Sequence, residues 1–429
     1  MTTYQEALEY LDSLNKFGIR LGLARIERLL ELLGNPQTHY KTIHVTGTNG
    51  KGSTTAMLTE ILAQAKIKVG MYISPHLESY NERVRVDGNL ISSEDFVTCL
   101  GEVKVLVDKM IDDGAECPTQ FEVLTAMAFL YFSKMQVEYA VIEVGLGGLL
   151  DSTNVIIPEV SVITNVTLEH ADRCGGTLAG VAEHKAGIIK EGVPIVTAVT
   201  GEPLEIIRQK AHDKNADLFV MGEDFCSSFE SILNGQQTVS FASDLLGISM
   251  NYALSLLGMH QIENSAVAVM TALVLGNTEK RVTKEVICRA LTNVTWPGRF
   301  EIFHRGEATI IIDGAHNLAG MKSLKENLDF YFPTQDRAFL LGILRDKDIT
   351  GMINQLIRPE DSVVVTAPAS ERAALPTAIA AQISASYVEP VYSIVAGLER
   401  VSEMANDDKI VCIAGSLYLI GPLRKYLVN

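Results

Sequence analysis

The sequence predicts an α/β protein in two parts. A P-loop-type domain with a mostly parallel sheet and helices on both faces comes first, and a smaller Rossmann-like α/β domain follows. Three observations carry this. Apolar runs of strand length alternate with helical stretches almost throughout, as in parallel sheets covered by helices. Residues 43–53, Ile43-His-Val-Thr-Gly-Thr-Asn-Gly-Lys-Gly-Ser53, read as strand, glycine turn and helix. At 429 residues the chain is too long for one typical core. The break at Trp296-Pro-Gly-Arg299 suits a domain boundary, giving domains 1–295 and 296–429.

The first strand is expected at 42–45. A helix starts near Ser53 and runs to about 66, and a second strand covers 68–73. Thr119-Gln-Phe-Glu122 is a capping box that opens a helix with Phe121, Leu124, Ala128 and Phe132 on one face. Residues 139–144 form a continuous apolar run with one carboxylate near its end, as a buried parallel strand does. Two more such strands lie at 160–166 and 193–199. Residues 227–249 are more polar and suggest a small β excursion, followed by a helix over 261–275. Beyond the break, strands are expected at 309–312, 338–344, 362–366 and 410–414, with helices between. No internal repeat or low-complexity tract appears.

Composition narrows the function. Hydrophobic residues make up 47% and charged residues 21%, which is ordinary for a soluble enzyme. No run of about 18 apolar residues suggests a membrane span. The start, Met1-Thr-Thr-Tyr-Gln-Glu6, is polar and acidic, unlike a signal or transit peptide. The six cysteines, Cys99, Cys117, Cys174, Cys226, Cys288 and Cys412, contain no C-x-x-C pair. A reducing cytoplasm is expected. The formal charge of −16 argues against nucleic-acid or membrane partners. An anionic substrate therefore needs identifiable local cations.

The glycine turn supplies one. Gly47, Gly50 and Gly52 let the backbone turn tightly and approach a ligand. Lys51 adds a fixed charge, and the following helix aims its N-terminus at the same spot. The natural occupant is a polyphosphate. The usual pattern is G-x-x-x-x-G-K-[ST]. Here Gly52 follows the lysine directly, so Ser53 takes the magnesium role, with Thr54 in reserve. The alternative is a turn that merely joins strand and helix.

Other candidates sit just after strands, where open α/β sheets bind ligands. Glu143 ends an apolar strand, where a carboxylate is costly unless it is paired or on a metal. Asp151 and Asn154 either line the same crevice or cap the next turn. His170 follows the strand at 160–166 and is either a ligand or an ordinary histidine. Lys185, in His184-Lys-Ala-Gly-Ile-Ile189, reads by composition as a solvated helix lysine. Ser74-Pro-His-Leu77 and Asn81-Glu-Arg83 follow the second strand. Arg83 either clamps a carboxylate or phosphate or makes a surface salt bridge. In the second domain Asp313, His316 and Asn317 follow a buried strand, and Arg299 is a further cation.

Together these motifs resemble the folylpolyglutamate synthases, relatives of the Mur ligases. The segments that carry the likeness are Thr46–Ser53, Ser74–Leu77 with Asn81–Arg83, Glu143–Gly148 with Asp151–Asn154, Lys185–Ile188, Pro297–Arg299, Asp313–Asn317 and Gly415–Tyr418. The order matches, and the lysine-glycine-serine phosphate loop is that family's own form. The resemblance implies an ATP-dependent amide ligase. It would join L-glutamate to the terminal carboxylate of a reduced folate through an acyl phosphate. It implies that Thr48, Asn49, Gly50, Lys51, Gly52, Ser53, Asn264, Arg299 and Asp313 hold ATP. Ser53 and Glu143 would hold one Mg²⁺, and Glu143, His170 and a carbamylated Lys185 would serve a second. Ser74, Arg83, Asp151, His316 and Ser416 would face substrate, and Lys51, Lys185, His170, Asp313 and His316 would be catalytic. A monomer is expected. Two departures stand out: Glu169-His170 where Asp-His is common, and Leu149 where an arginine is common.

Three alternatives remain at this level. A bifunctional enzyme would also join glutamate to dihydropteroate. A cell-wall Mur ligase would need a UDP-binding domain, for which the stretch before Thr42 is expected to be too short. A P-loop switch protein would lack ligase chemistry, against which the Glu143, His170 and Lys185 set argues.

Overall fold

A computed structural model describes every residue except Ile19, residues 170–172, Glu307, Asp407 and Asn429. The chain separates into two compact units. The first comprises Met1–Ser255 with Ile262–Val294, and the second Leu256–Gln261 with Thr295–Asn429. Among the described residues the strands form sheets of eight, three and six strands.

The eight-stranded sheet contains β1 (Lys41–Thr46), β2 (Val69–Tyr72), β3 (Val84–Val86), β4 (Asn89–Leu90), β5 (Tyr139–Glu143), β6 (Val160–Ile163), β7 (Ile195–Thr197) and β8 (Leu218–Val220). Its order is β4-β3-β2-β5-β1-β6-β7-β8. Neighbours from β2 to β8 pair in parallel, whereas β3 and β4 add an antiparallel edge. Strands β2, β5 and β6 are buried at every position, as strands covered on both faces must be. One core joins the N-terminal helices and helices Ser93–Asp112 and Gln120–Lys134 to the sheet. Another joins helices Leu178–Ala186 and Glu202–Asp213 to its far half.

The chain leaves β1 for β2 on one side and later returns to β6 on the other. The carboxyl end of β1, between β5 and β6, is thus the switch point, the place where open α/β sheets bind their ligands. The phosphate loop occupies that end.

Strands β9 (Cys226–Leu233), β10 (Gln236–Ser243) and β11 (Ile248–Leu254) form an antiparallel sheet. The expected excursion is therefore regular and runs further than 249. The second unit holds β12 (Glu301–Arg305), β13 (Ala308–Ile312), β14 (Asp336–Leu341), β15 (Ser362–Val365), β16 (Tyr387–Pro390) and β17 (Lys409–Ala414). Their order is β12-β13-β17-β14-β15-β16, with β12 antiparallel and the rest parallel. Strand β17 returns between β13 and β14, which makes a second switch point there.

Three expectations change. Helix Gln120–Lys134 does begin with the capping box at Thr119, but every residue from Glu122 to Phe132 is buried. It is not a one-faced helix, because sheet and neighbouring helices enclose it. The strand expected at 160–166 stops at Ile163, and the residues after it turn to brace the phosphate loop. Leu256–Gln261, expected in the first domain, belongs to the second unit. There Gly258 and Met259 donate to Tyr331 and Asn327 of helix Leu318–Tyr331.

Candidate active site

Helix Lys51–Gln64 begins two residues earlier than expected, so Lys51 and Gly52 open its first turn. Gly50 precedes it at φ 82°, the left-handed region that favours glycine. A side chain there would also meet Asn264, whose Oδ1 would lie 2.2 Å from the added Cβ. Asn264 is buried on helix Met259–Leu275 and thus packs directly on the loop.

The turn after β6 holds the loop from the other side. Thr48 donates its N–H to the Asn165 carbonyl at 3.0 Å, and Asn49 donates to Asn165 Oδ1 at 2.9 Å. Thr164 Oγ1 donates to the Asn49 carbonyl at 2.6 Å, and Thr167 N donates to Thr48 Oγ1. The N–H groups of Thr48 and Asn49 are thereby taken up, and those of the helix's first turn are the ones aimed beyond the loop. Asn165 and Thr164 were not among the sequence candidates. Their signal was a Thr-Asn pair just past a strand's carboxyl end.

Lys51 Nζ donates to the carbonyls of Gly47 and Thr48, both at 2.9 Å, so its charge is held inside the loop. Ser53 is buried in the same turn. Thr54, the reserve ligand, is also buried, and its hydroxyl has no hydrogen-bond partner among the described residues.

Glu143 ends β5 directly beside β1, in register with Val45. It is only 5% exposed, and Oε2 accepts from the Ser74 N–H at 3.2 Å. Ser74, at the end of β2, is thereby fixed against it. A buried carboxylate and a buried hydroxyl flanking a phosphate loop are hard oxygen donors, a set that fits Mg²⁺. His170 lies outside the described residues. Among the described residues no group of three or more His, Cys, Asp or Glu side chains is arranged to hold a metal.

The glycine loop after β5 rests on the end of helix Leu178–Ala186. Leu149 N donates to the His184 carbonyl at 2.7 Å, and a side chain at Gly148 would strike that same oxygen. Thr46 Oγ1 donates to the Gly147 carbonyl at 2.7 Å, tying this loop to β1. Asp151 follows the capping alternative. Its carboxylate accepts from the N–H groups of Leu146 and Thr153 and from Thr153 Oγ1. Burial raises its pKa, and those hydrogen bonds oppose the rise. Asn154 Nδ2 ties the carbonyls of Leu149 and Gly187 together.

This packing changes the reading of Lys185. It is not a solvated lysine: it is 5% exposed. Burial, and then the charge of Lys51, lower its pKa to about 7. A lysine lowered in this way offers more of the neutral, nucleophilic amine at neutral pH than a solvated one.

In the second unit Asp313 and His316 follow β13, and Ser416 follows β17, at that sheet's switch point. Asp313 accepts from Phe300 N and Ala315 N, both at 2.8 Å. Burial raises its pKa, while Arg299 and the two N–H groups pull it down. Arg299 Nη1 donates to the Gly298 carbonyl and lies where a side chain on Gly314 would be. His316 Nδ1 lies 2.7 Å from the Gly314 carbonyl, and Asn317 caps helix Leu318–Tyr331 through Gly320 N. Ser416 is buried, with its hydroxyl accepting from Tyr418 N.

The Mur ligase middle domain matches residues 45–272, and the Mur ligase glutamate ligase domain matches residues 298–417. The dihydrofolate synthase/folylpolyglutamate synthase of Bacillus subtilis is 35% identical, over 99% of each chain. The chain belongs to the folylpolyglutamate synthase family of Mur ligases. Solved structures of that family superpose along the whole chain. The folylpolyglutamate synthase of Thermotoga maritima has a TM-score of 0.88 at 34% identity, covering 99% of this chain and 97% of that one. The Mycobacterium tuberculosis folylpolyglutamate synthase complexed with ADP and AMPPCP has a TM-score of 0.89 at 29% identity, over 99% of each chain. Among the described residues no helix is long and apolar enough to cross a membrane.

Proposed function

We propose that this chain is an ATP-dependent ligase that adds L-glutamate to the terminal carboxylate of a reduced folate and releases ADP and phosphate. The observation that carries this reading is the switch point at the end of β1. There a lysine-bearing phosphate loop follows β1, the buried Glu143 ends the neighbouring β5, and the buried Lys185 is close enough to feel the charge of Lys51.

The chemistry follows from charge. A carboxylate oxygen of the acceptor attacks the γ-phosphorus of ATP, the bond to the β-phosphate oxygen breaks, and ADP leaves. The acyl phosphate formed has a good leaving group. The glutamate amine, after losing a proton, attacks its carbonyl carbon, and phosphate departs as the amide forms. Lys51 and the first turn of helix Lys51–Gln64 hold the polyphosphate and stabilise charge that moves onto its oxygens. Ser53 and Glu143 would hold Mg²⁺, which supplies charge neutralisation of the phosphates. Asn264, placed against Gly50, is assigned to the nucleotide. Ser74, Arg83, His316 and Ser416 are assigned to the acceptor and glutamate, and Asp151 shapes the glycine loop.

His170 and Lys185 are assigned to a second Mg²⁺. An ammonium would repel that ion. The neutral amine of Lys185 can add to CO₂, losing a proton and becoming an N-carboxylate with oxygen donors. Its lowered pKa supports this modification. A second activity, ligation of glutamate to dihydropteroate, is favoured by the two activities in the name of the Bacillus subtilis relative.

The test is a turnover assay with ATP, Mg²⁺, glutamate and either tetrahydrofolate or dihydropteroate. Phosphate should appear only when acceptor and glutamate are both present, and the product should gain one glutamate. Phosphate release that ignores either substrate would return the chain to the switch-protein reading.

A further inference from the structure

The side chain of Arg83, assigned above to the acceptor or glutamate with no contact named, is held by two neighbours that the scheme does not use, His76 and Tyr80. Its backbone pairs with the end of β2, since Ile73 N donates to the Arg83 carbonyl at 3.0 Å. Its Nε donates to His76 Nδ1 at 2.9 Å. An arginine Nε–H can only donate, so His76 must be neutral with its proton on Nε2. The guanidinium also lies over the Tyr80 ring, 5.2 Å from its centre, and the His76 and Tyr80 rings stand 4.4 Å apart. The nearest carboxylate in sequence, Glu82, does not compete for it. Its oxygens accept from the N–H groups of Leu77, Glu78 and Ser79. Nε is thus occupied and one face is stacked, and the two terminal nitrogens carry no described hydrogen bond. That is the half of an arginine that grips a carboxylate in a bidentate way.

Position says which carboxylate. The sheet order β3-β2-β5-β1 places the start of β3 three strands from the phosphate loop. At the usual strand spacing this is about 14 Å, farther than an arginine side chain spans. The carboxylate that receives phosphate must lie at the loop. We propose that His76 is a positioning residue that locks Arg83 as a fork for the second, non-reacting carboxylate of the acceptor. The inference rests on the ligase reading. It makes the His76–Arg83 pair a specificity element, selecting acceptors that already carry a glutamate over the monocarboxylate dihydropteroate.

The experiment compares His76→Phe, His76→Asn and Arg83→Lys in the intact protein. Affinities for tetrahydrofolate, dihydropteroate and ATP are measured by titration calorimetry, alongside KM and kcat. His76→Phe removes the acceptor for Nε, and Arg83→Lys keeps the charge but loses the fork. Both should weaken tetrahydrofolate about tenfold while ATP and dihydropteroate change less than about twofold. Asn offers an amide oxygen near the place of Nδ1, and His76→Asn should recover most of the loss. Equal weakening of both acceptors, or Asn no better than Phe, overturns the assignment. If the parent protein ligates neither acceptor, the ligase reading fails instead, and calorimetry still reports on the fork.

Discussion

Lys51 is pinned to two carbonyls of its own loop, so removing its side chain deletes a charge without emptying a core. Lys51→Ala should lower turnover at least about a hundredfold while the thermal midpoint stays near that of the parent. A folded, active variant in the ATP-dependent assay contradicts the assignment. Lys185 shows where local sequence falls short. A lysine on a helix is usually solvated. This one is buried because the glycine loop after β5 lands on its helix, a tertiary fact that no short window contains. Lys185→Ala should lose most activity, and a short carboxylic acid in the buffer should restore part of it in place of the carbamate. Retained activity in that variant, with no carbamate carbon signal in NMR spectra of the folded parent equilibrated with carbon-13 bicarbonate, contradicts the carbamate. Asp151 went the other way: its type and spacing left crevice and cap open, and its hydrogen bonds choose the cap.

At the level of elements, the strand–turn–helix at β1 was legible because Gly47, Gly50 and Lys51 leave few alternatives. Its braces, Thr164 and Asn165, were not, because they lay inside a presumed strand that ends early. Gly50→Ala should raise the KM for ATP about tenfold or more. A Cβ at φ 82° is strained by roughly 1–2 kcal/mol and displaces Asn264. An unchanged KM contradicts the role given to the loop geometry. His44, buried in the middle of β1, gives that strand a pH dependence. Its Nε2 lies 2.9 Å from Thr153 Oγ1, which itself donates to Asp151, so Nε2 carries a proton and donates. Burial, with a smaller push from Lys190, lowers its pKa from 6.5 to about 3. The unfolded chain therefore binds the proton first. Stability is complete above about pH 6.5 and falls as the pH drops toward 3, by up to on the order of 4 kcal/mol from this residue. His76 and His260, also lowered, to about 3 and about 4, add in the same direction. Urea midpoints at pH 7 and pH 4.5 check this, and His44→Gln should flatten the difference. Equal midpoints in the parent would contradict it.

For the whole molecule, alternation of strand and helix was enough to read two parallel-dominated sheets, because covered strands must be continuously apolar. The antiparallel strands β3, β4 and β12 at the sheet margins were not foreseen. They are short or half-exposed, so burial imposes no pattern on them. A net charge of −16 makes each cation at the candidate site conspicuous. Arg299, in the second unit, stands against Gly314 beside the buried Asp313, and Arg299→Ala in the intact chain should abolish turnover. Normal kinetics in a folded variant would contradict its place among the site residues. The central claim is that the acceptor carboxylate is phosphorylated before glutamate attacks. It is tested most directly by labelling that carboxylate with heavy oxygen and analysing the phosphate released during ligation. The account predicts one labelled oxygen in each phosphate formed. Unlabelled phosphate alongside normal amide formation would contradict it.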